Sequence, residues 1–396
     1  MYSYNFVFMI LELLETSLFT LILLGILFVC TVVLSVFYFR FLNVKTDKEP
    51  LELSDQQPLS VVIATRNEHD QLRQNLPFFM NQNHPNFEVV VVIDDSDKEM
   101  RYIMQEFEKQ YANLKVVCFE WSRNFFVNSR FAESVGIKSA AHGRILLSNI
   151  ATRPSSPEWV ARMSKALSGN KSIVIGYHSM MHKASFINAF IRFNAFFYAM
   201  RYLSAAVSGK PFTANSKNLA FERSLFYETR GVAHYYNVNT GDEDMFVNKA
   251  ATKTNTAVEI HQDAFVKGQI EPTFGEWFER RIRHRILVKE FKTINRLGLS
   301  LYNVFTALFY IFSGLILACF FLPEKEFFAT SLELLMVGGG LFVLKFLIQG
   351  VVFKRMMNRF RERGFLLLIP AFELMLLILQ PILLLTGLFT KRITWK

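Results

Sequence analysis

The sequence predicts a mixed α/β domain flanked by membrane-spanning helices, and two features of the chain lead to this prediction. Apolar stretches long enough to cross a bilayer occupy residues 17–39 and much of the chain after residue 301. Between them, runs rich in Val and Ile alternate with helical patterns, as in parallel sheets whose strands are buried on both faces. A hydrophobic content of 51% and a mean hydropathy of +0.22 agree with this division, because ordinary soluble domains are less apolar.

Charges beside the apolar stretches predict how the chain crosses the membrane. No basic segment precedes residues 17–39, so we expect an uncleaved anchor rather than a signal peptide. Lys and Arg residues follow this anchor, and the positive-inside rule then places the large domain in the cytoplasm. The predicted organisation is a short extracytoplasmic N-terminus (1–16), an anchor (17–39), a cytoplasmic domain (40–300) and a C-terminal membrane region (301–396) with spans near 302–322, 331–353 and 365–390.

The last apolar stretch leaves its topology open. It is interrupted by Pro370 and Pro381, and a full crossing would place the basic tail at Lys391 on the unexpected side, whereas a bent or re-entrant segment would not. Lys345 and Glu373 are the internal charges of the predicted spans. Intramembrane ionisable groups can mark a transport path. A structural pair between two helices is the simpler alternative.

Four strands are predicted in the first part of the large domain, with helices near 69–81, 97–111 and 129–141. This alternation implies parallel strands joined by right-handed crossovers. Ligands of such sheets bind beyond the carboxyl ends of the strands, where polar residues cluster here. Because no glycine-rich loop follows the first strand, a dinucleotide dehydrogenase or a P-loop NTPase is disfavoured. The predicted strands are Leu59–Ala64, Phe87–Ile93, Lys115–Phe119 and Arg144–Ser148.

The net charge of +10 and the cysteines exclude several functions. Much of the positive charge flanks the apolar stretches, and no helix-turn-helix, zinc or RNA-binding signature accompanies it, so we expect no nucleic-acid partner. Cys30, Cys118 and Cys319 lie in apolar surroundings, and we expect them to be reduced and buried.

Two charged segments lie late in the domain. Gly241-Asp242-Glu243-Asp244 precedes an apolar run, so these acids are explained equally well as the first turn of a helix. Arg280-Arg281-Ile282-Arg283-His284 follows Trp277, and such a segment alone is typical of a basic helix on a membrane surface. Either segment could instead bind a phosphorylated substrate.

Four segments taken together resemble a known family. In order along the chain they are Ala64–Glu68, Val92–Ser96, Gly241–Asp244 and Arg280-x-x-Arg283-His284. This order resembles the signature of bacterial family-2 glycosyltransferases, which are membrane-anchored enzymes. The resemblance covers roughly residues 58–290. It implies a GT-A fold, a Rossmann-like α/β domain that binds a nucleotide-diphospho-sugar, together with the transmembrane helices.

The resemblance also implies a role for individual residues. Asp244 would be the general base that deprotonates the acceptor hydroxyl, with its pKa tuned by Asp242 and Glu243. Asp95 would contact the base or ribose of the donor. Asn218 and Trp277 would lie on the acceptor side. The remaining residues expected at the nucleotide-sugar are Thr65, Asn67, Glu68, Asp97, Asn149, Arg280, Arg283 and His284.

One position departs from the family pattern. The family has an Asp-x-Asp pair after the strand that begins at Arg144, and this pair holds Mg²⁺ or Mn²⁺ on the diphosphate. Asn149 and Ala151 occupy the expected ligand positions here, so we expect the metal to be weakened or lost. Three alternatives follow. The diphosphate could be neutralised by Arg153, Lys217 or the Arg280–Arg285 segment, metal could bind through Asp95, Asp97 or Glu243, or catalysis could be lost.

The implied function is transfer of a sugar from a nucleotide-diphospho-sugar to a membrane-proximal acceptor, by displacement with inversion. The acceptor would be a lipid-linked or other saccharide of a cell-envelope polysaccharide pathway. The protein would be a multi-pass protein of the cell (inner) membrane. The alternative is a catalytically impaired binding or assembly subunit of a polysaccharide or glycolipid pathway.

Overall fold

A computed structural model of the protein describes residues 2–45, 51, 57–120, 129–229, 245–268, 273–288, 291–321 and 328–389. The chain divides into two compact units. We call Met1–Leu42 with Thr293–Pro381 the membrane unit, and Asn43–Lys292 with Ile382–Lys396 the α/β unit.

The helices, in chain order, are α1 (Tyr2–Phe41), α2 (His69–Met80), α3 (Lys98–Gln110), α4 (Ser129–Ser139), α5 (Trp159–Ala166), α6 (Phe186–Val207), α7 (Arg223–Glu228), α8 (Met245–Ala250), α9 (Phe274–Val288), α10 (Thr293–Phe320), α11 (Phe328–Arg359) and α12 (Ile369–Phe389). The strands are β1 (Leu59–Ala64), β2 (Phe87–Asp94), β3 (Leu114–Phe119), β4 (Arg144–Ser148), β5 (Thr152–Pro154), β6 (Ile173–Gly176), β7 (His178–Met180), β8 (Leu219–Glu222), β9 (Thr256–Glu259) and β10 (Val266–Gly268).

The predicted apolar stretches are helical. Four helical segments of the described chain are long and apolar enough to cross a bilayer, namely Leu18–Phe41, Thr293–Cys319, Leu332–Arg359 and Leu366–Thr386. The last of them continues through Pro381 as one helix, α12. Pro370 lies in the first turn of α12, where a missing backbone N–H removes no helical hydrogen bond. These helices fit association with a membrane.

A buried ion pair joins the helices of the membrane unit. Lys345 on α11 donates to the carboxylate of Glu373 on α12 at 2.5 Å. The same carboxylate accepts from Tyr38 of α1 at 3.1 Å and from Tyr302 of α10 at 2.9 Å. Gln349 of α11 donates a further hydrogen bond at 2.7 Å. One carboxylate is thus bonded to side chains from three other helices, which favours the structural pair over a transport path.

Aromatic rings enclose the ammonium group of this pair. Lys345 Nζ lies 3.9 Å from the ring centroid of Phe346 and 5.3 Å from that of Phe309. The side chains of Lys345 and Glu373 are 0% and 3% exposed. Ring faces attract cations, and the attraction is strongest where water is excluded. Both charges are therefore stabilised inside the protein.

A seven-stranded sheet forms the α/β unit, in the order β3-β2-β1-β4-β8-β6-β9. The strands β1, β2, β3 and β4 are parallel to one another, as predicted. Strand β8 runs antiparallel to both β4 and β6, and this reversal was not predicted. A second sheet contains β5, β10 and β7. Strand β3 is the last strand at one edge of the sheet, and Cys118 on it is exposed, so the prediction that this thiol is buried was wrong.

Helices cover both faces of the seven-stranded sheet. On one face α2, α3 and α5 form a core with residues such as Val61, Val89 and Trp159. On the other face α4 packs closely against β1 and β2. A Cβ atom added to Gly136 of α4 would lie 2.6 Å from Val62 Cγ1 and 2.9 Å from Val92 Cγ2. The small residue therefore sets the distance between helix and sheet.

Gly136→Ala is expected to lower the free energy of unfolding by about 1–3 kcal/mol, because overpacking forces α4 away from the sheet. The better helix propensity of alanine, roughly 1 kcal/mol, offsets only part of this cost. Thermal unfolding of the full chain in mild detergent measures the change. Gly143→Ala is the matched control, since a Cβ there meets no atom within 4 Å. Equal melting temperatures for the two variants would contradict the packing argument.

Candidate active site

The loop after β1 brings three predicted residues to the carboxyl rim of the sheet. Thr65 is 2% exposed, and its hydroxyl donates to Glu68 Oε2 at 2.9 Å. Asn67 has a φ of 57°, in the left-handed region that asparagine tolerates better than most residues. Backbone strain of this kind is commonly found where a loop is shaped for a ligand. The segment therefore lies at the edge of the sheet where the nucleotide pocket is predicted.

The acids after β2 have different environments. Asp94 is buried and accepts from the Ser96 backbone N–H at 3.0 Å and from its hydroxyl at 2.8 Å. Arg66 lies 3.5 Å from the same carboxylate. Asp95 pairs with Arg101 at 3.0 Å, yet its side chain is 48% exposed. Asp95 is therefore the acid at this strand end that is open to a ligand.

Asp97 is held as a helix cap. Its Oδ1 accepts from the Met100 backbone N–H at 3.0 Å, and Oδ2 lies 2.7 Å from His69 Nε2. This is the N-cap geometry that stabilises the first turn of α3. Both carboxylate oxygens already have partners, so the structure gives Asp97 a local structural role. Its contact with the nucleotide-sugar stays a prediction.

The turn after β4 is closed by its own side chains. Asn149 Oδ1 accepts from the Ala151 backbone N–H at 2.8 Å, and the Thr152 hydroxyl donates to the Asn149 carbonyl at 2.6 Å. Asn75 of α2 donates to the Ile150 carbonyl at 2.8 Å. The turn is therefore fixed by its own side chains and anchored to α2.

Asn218 lies entirely inside the protein. Its Oδ1 accepts from the Trp159 indole at 3.0 Å, and its Nδ2 donates to the carbonyls of Tyr177 at 2.9 Å and Ala264 at 2.8 Å. The side chain is 0% exposed, and its amide oxygen and nitrogen both have internal partners. It joins α5 to segments of both sheets. The predicted contact with an acceptor would have to be indirect.

The basic segment lies on α9, which packs against α6. The buried Trp277 donates its indole N–H to Asn194 Oδ1 at 3.3 Å. The ring of His284 meets that of Tyr198 edge to face, with centroids 4.8 Å apart. Burial lowers the pKa of the Arg285 guanidinium, and the charge of Arg281 lowers it further. Both effects act against the charged form of Arg285. Arg280 and Arg283 lie on the same helix and are half-buried.

The predicted catalytic acids Asp242, Glu243 and Asp244 lie outside the described residues. The helix predicted to follow them is present as α8, which begins at Met245. The Trp277 side chain belongs to the α6–α9 contact, and its acceptor-side role stays a prediction. The sequence reasoning did not single out Arg66 and Arg101, although an arginine beside a strand-end acid is a recognisable signal.

Comparison with known proteins gives the family. The family model described as Glycosyl transferase family 21 matches residues 18–396. The chain belongs to glycosyltransferase family 21. As a family-21 glycosyltransferase it uses a nucleotide-sugar, and the predicted enzyme class is confirmed. The narrower prediction of a bacterial family-2 enzyme is not confirmed by this match.

A solved structure with a TM-score above 0.5 confirms the fold of this family-21 member. A mannosyltransferase from Pyrobaculum calidifontis, in complex with GDP-Man and Mn²⁺, is 15% identical with a TM-score of 0.55, covering 83% of this chain and 98% of that one. TarS 1-349 of S. aureus, in complex with UDP-GlcNAc, is 13% identical with a TM-score of 0.40, over 77% and 90% of the two chains. No curated protein sequence matches the chain. The predicted GT-A class is thus confirmed.

The turn after β4 of this family-21 protein does not fit a divalent cation. A hard cation prefers several oxygen ligands, commonly carboxylates. The Asn149 amide oxygen already accepts a backbone hydrogen bond, and Ala151 offers no side-chain ligand. Among the described residues, no group of three or more His, Cys, Asp and Glu side chains could hold a metal. Asp97, one of the alternative ligands considered, has both of its oxygens engaged.

Proposed function

We propose that this protein is a membrane-bound glycosyltransferase that moves a sugar from a nucleotide-diphospho-sugar to a membrane-proximal acceptor with inversion. The observation that carries the proposal is the set of polar loops after β1, β2 and β4. Parallel strands end at one rim of a sheet, and α/β sheets bind ligands beyond that rim. The exposed carboxylate of Asp95 beside Thr65–Glu68 suits recognition of a nucleoside.

The proposed chemistry is a single displacement at the anomeric carbon. Asp244 takes the proton of the acceptor hydroxyl as its oxygen attacks, and the nucleoside diphosphate leaves from the opposite face. Arg280, Arg283 and His284 contact the leaving diphosphate, since guanidinium groups match phosphate oxygens in pairs. One new glycosidic bond replaces the sugar–phosphate bond, which inverts the anomeric configuration.

The acceptor is proposed to be a lipid-linked or other saccharide at the bilayer, because four helices fit membrane association. The basic residues after the first span support a cytoplasmic α/β unit in a cell (inner) membrane. Purified full-length protein in nanodiscs should release nucleotide from one of the UDP-, GDP- or dTDP-sugars when acceptor lipids are added. No release with any donor would favour the catalytically impaired binding subunit. The anomeric configuration of the product, read by NMR, tests inversion.

Asp95→Ala is expected to weaken nucleotide binding by roughly tenfold or more, since a charged hydrogen bond contributes about 1.5–3 kcal/mol. Isothermal titration with the nucleotide that binds the wild type measures the loss. Glu108→Ala removes an exposed acid from the same neighbourhood of α3 and should bind as the wild type does. An unchanged Kd for Asp95→Ala would remove Asp95 from the nucleotide site.

A further inference from the structure

A lysine lies beside the turn where the family's metal ligand is expected. Strands β4 and β8 pair in antiparallel register as far as Leu147 and Leu219. A short 3-10 helix, Ser216–Asn218, precedes β8 and contains Lys217. The two segments stay in contact there, because Ser148 Oγ donates to the Lys217 carbonyl at 3.0 Å. The cation therefore comes from the neighbouring segment at the same rim.

The main chain at Lys217 is held on both sides. Its backbone N–H donates to Asn215 Oδ1 at 3.0 Å. The next residue, Asn218, is completely buried and hydrogen-bonded to Trp159, Tyr177 and Ala264. Lys217 itself is only half-buried. A fixed main chain limits the region that the lysine side chain can reach, which helps to preorganise its positive charge.

Arg153 follows the same turn but is held elsewhere. Its guanidinium lies 5.3 Å from the ring centroid of Phe78, near the C-terminal end of α2. This contact engages the Arg153 guanidinium with a ring of α2. Within the described part of the chain, Lys217 is the lysine whose main chain is bonded to Ser148 at the end of β4.

The charge balance explains how one lysine can replace a divalent cation held by two carboxylates. In an Asp-x-Asp site the two carboxylates cancel the two positive charges of the cation that they bind. Asparagine and alanine remove the ligands and, equally, the negative charge that required a cation. An ammonium group beside them would contribute positive charge to a bound diphosphate. It also supplies three hydrogen-bond donors.

We infer that Lys217 takes the place of the divalent cation, so that this protein binds the diphosphate of its donor without metal. The inference rests on the proposed function, because it assumes that a nucleotide-diphospho-sugar binds at the rim. The ligand class is a nucleoside diphosphate. Lys217, the residue that would make binding independent of metal, lies just before β8 rather than in the turn after β4.

Titration of the full chain in detergent with UDP, GDP and dTDP tests the inference. At least one nucleotide should bind with the same Kd, within about twofold, in EDTA and in Mn²⁺. Lys217→Gln should weaken that binding by roughly tenfold or more, as expected for loss of a charge-assisted hydrogen bond. Lys217→Arg should keep most of it. Lys109→Gln, at an exposed lysine in the last turn of α3, is the matched control.

A second variant tests whether restoring the two carboxylates restores a response to metal. Asn149→Asp combined with Ala151→Asp restores two carboxylates, and aspartate can accept the same backbone hydrogen bond as Asn149. Its nucleotide binding should become stronger with Mn²⁺ than with EDTA. Wild-type binding that disappears in EDTA, or Lys217→Gln binding as the wild type, would overturn the inference alone. Failure of all three nucleotides to bind a folded wild type under both conditions would overturn the proposed function as well.

Discussion

Asp244→Asn is expected to lower kcat for sugar transfer by roughly a hundredfold to ten-thousandfold, the usual contribution of a general base. The amide has nearly the shape of the carboxylate but cannot accept the proton of the acceptor hydroxyl. Donor affinity should change little, because the proposed role of Asp244 begins when the acceptor attacks. Initial rates of nucleotide release with saturating donor and acceptor measure kcat. A separate nucleotide titration reports binding.

Asp242→Asn provides the matched control within the same acidic segment. If Asp242 only tunes the pKa of the base, its loss should shift the pH profile of kcat and leave most of the maximal rate. If Asp244→Asn turned over at the wild-type rate, Asp244 would not be the base. Equal and large losses in both variants would show that the segment acts as a unit and would remove the separate role given to Asp244.

Lys345→Met is expected to destabilise the membrane unit by about 3–5 kcal/mol, the typical result of removing one partner of a buried ion pair. The cause is the Glu373 carboxylate, which would remain buried without its cationic partner. Thermal unfolding of the full chain in nanodiscs measures the effect. Replacing both charges with methionine should recover much of the loss, because an apolar pair leaves no uncompensated charge.

Lys354→Met on the same helix is the control for this change, because that lysine is exposed. It should melt within about a degree of the wild type, as surface substitutions usually alter stability by under roughly 0.5 kcal/mol. If Lys345→Met had the same melting temperature as Lys354→Met, the ion pair would contribute nothing to the stability of the unit.

Local sequence patterns predicted the first half of the sheet well. Buried runs such as Leu59–Ala64 are continuous in Val and Ile because both faces are covered, and this pattern needs no long-range information. The antiparallel direction of β8 depends on how a distant segment returns to β4, and no local signal encodes it. The contact between Lys217 and Ser148 at the end of β4 follows from that direction, so the sequence offered Lys217 only as one cation among several.

The structural alternatives for single residues also depended on long-range packing. Asp97 was expected at the nucleotide-sugar, but its carboxylate oxygens are engaged by Met100 and by His69 at the start of α2. Asn218 was expected on the acceptor side from its surrounding residues alone. Its three partners come from α5, from Tyr177 between two strands and from Ala264, which only the folded chain brings together. The pairing of Lys345 with Glu373 was easier to predict, since two opposite charges in apolar helices have few other partners.

The ion pair of the membrane unit also bears on how the chain is made. During synthesis α1 leaves the ribosome first, and the carboxylate that Tyr38 binds is added 335 residues later. Until then α1 and α11 carry hydroxyl and ammonium groups that have not met their final partner. Synthesis of α12 is therefore the step that completes the hydrogen bonds between the helices. Nascent chains halted before this step should be substrates for membrane quality control.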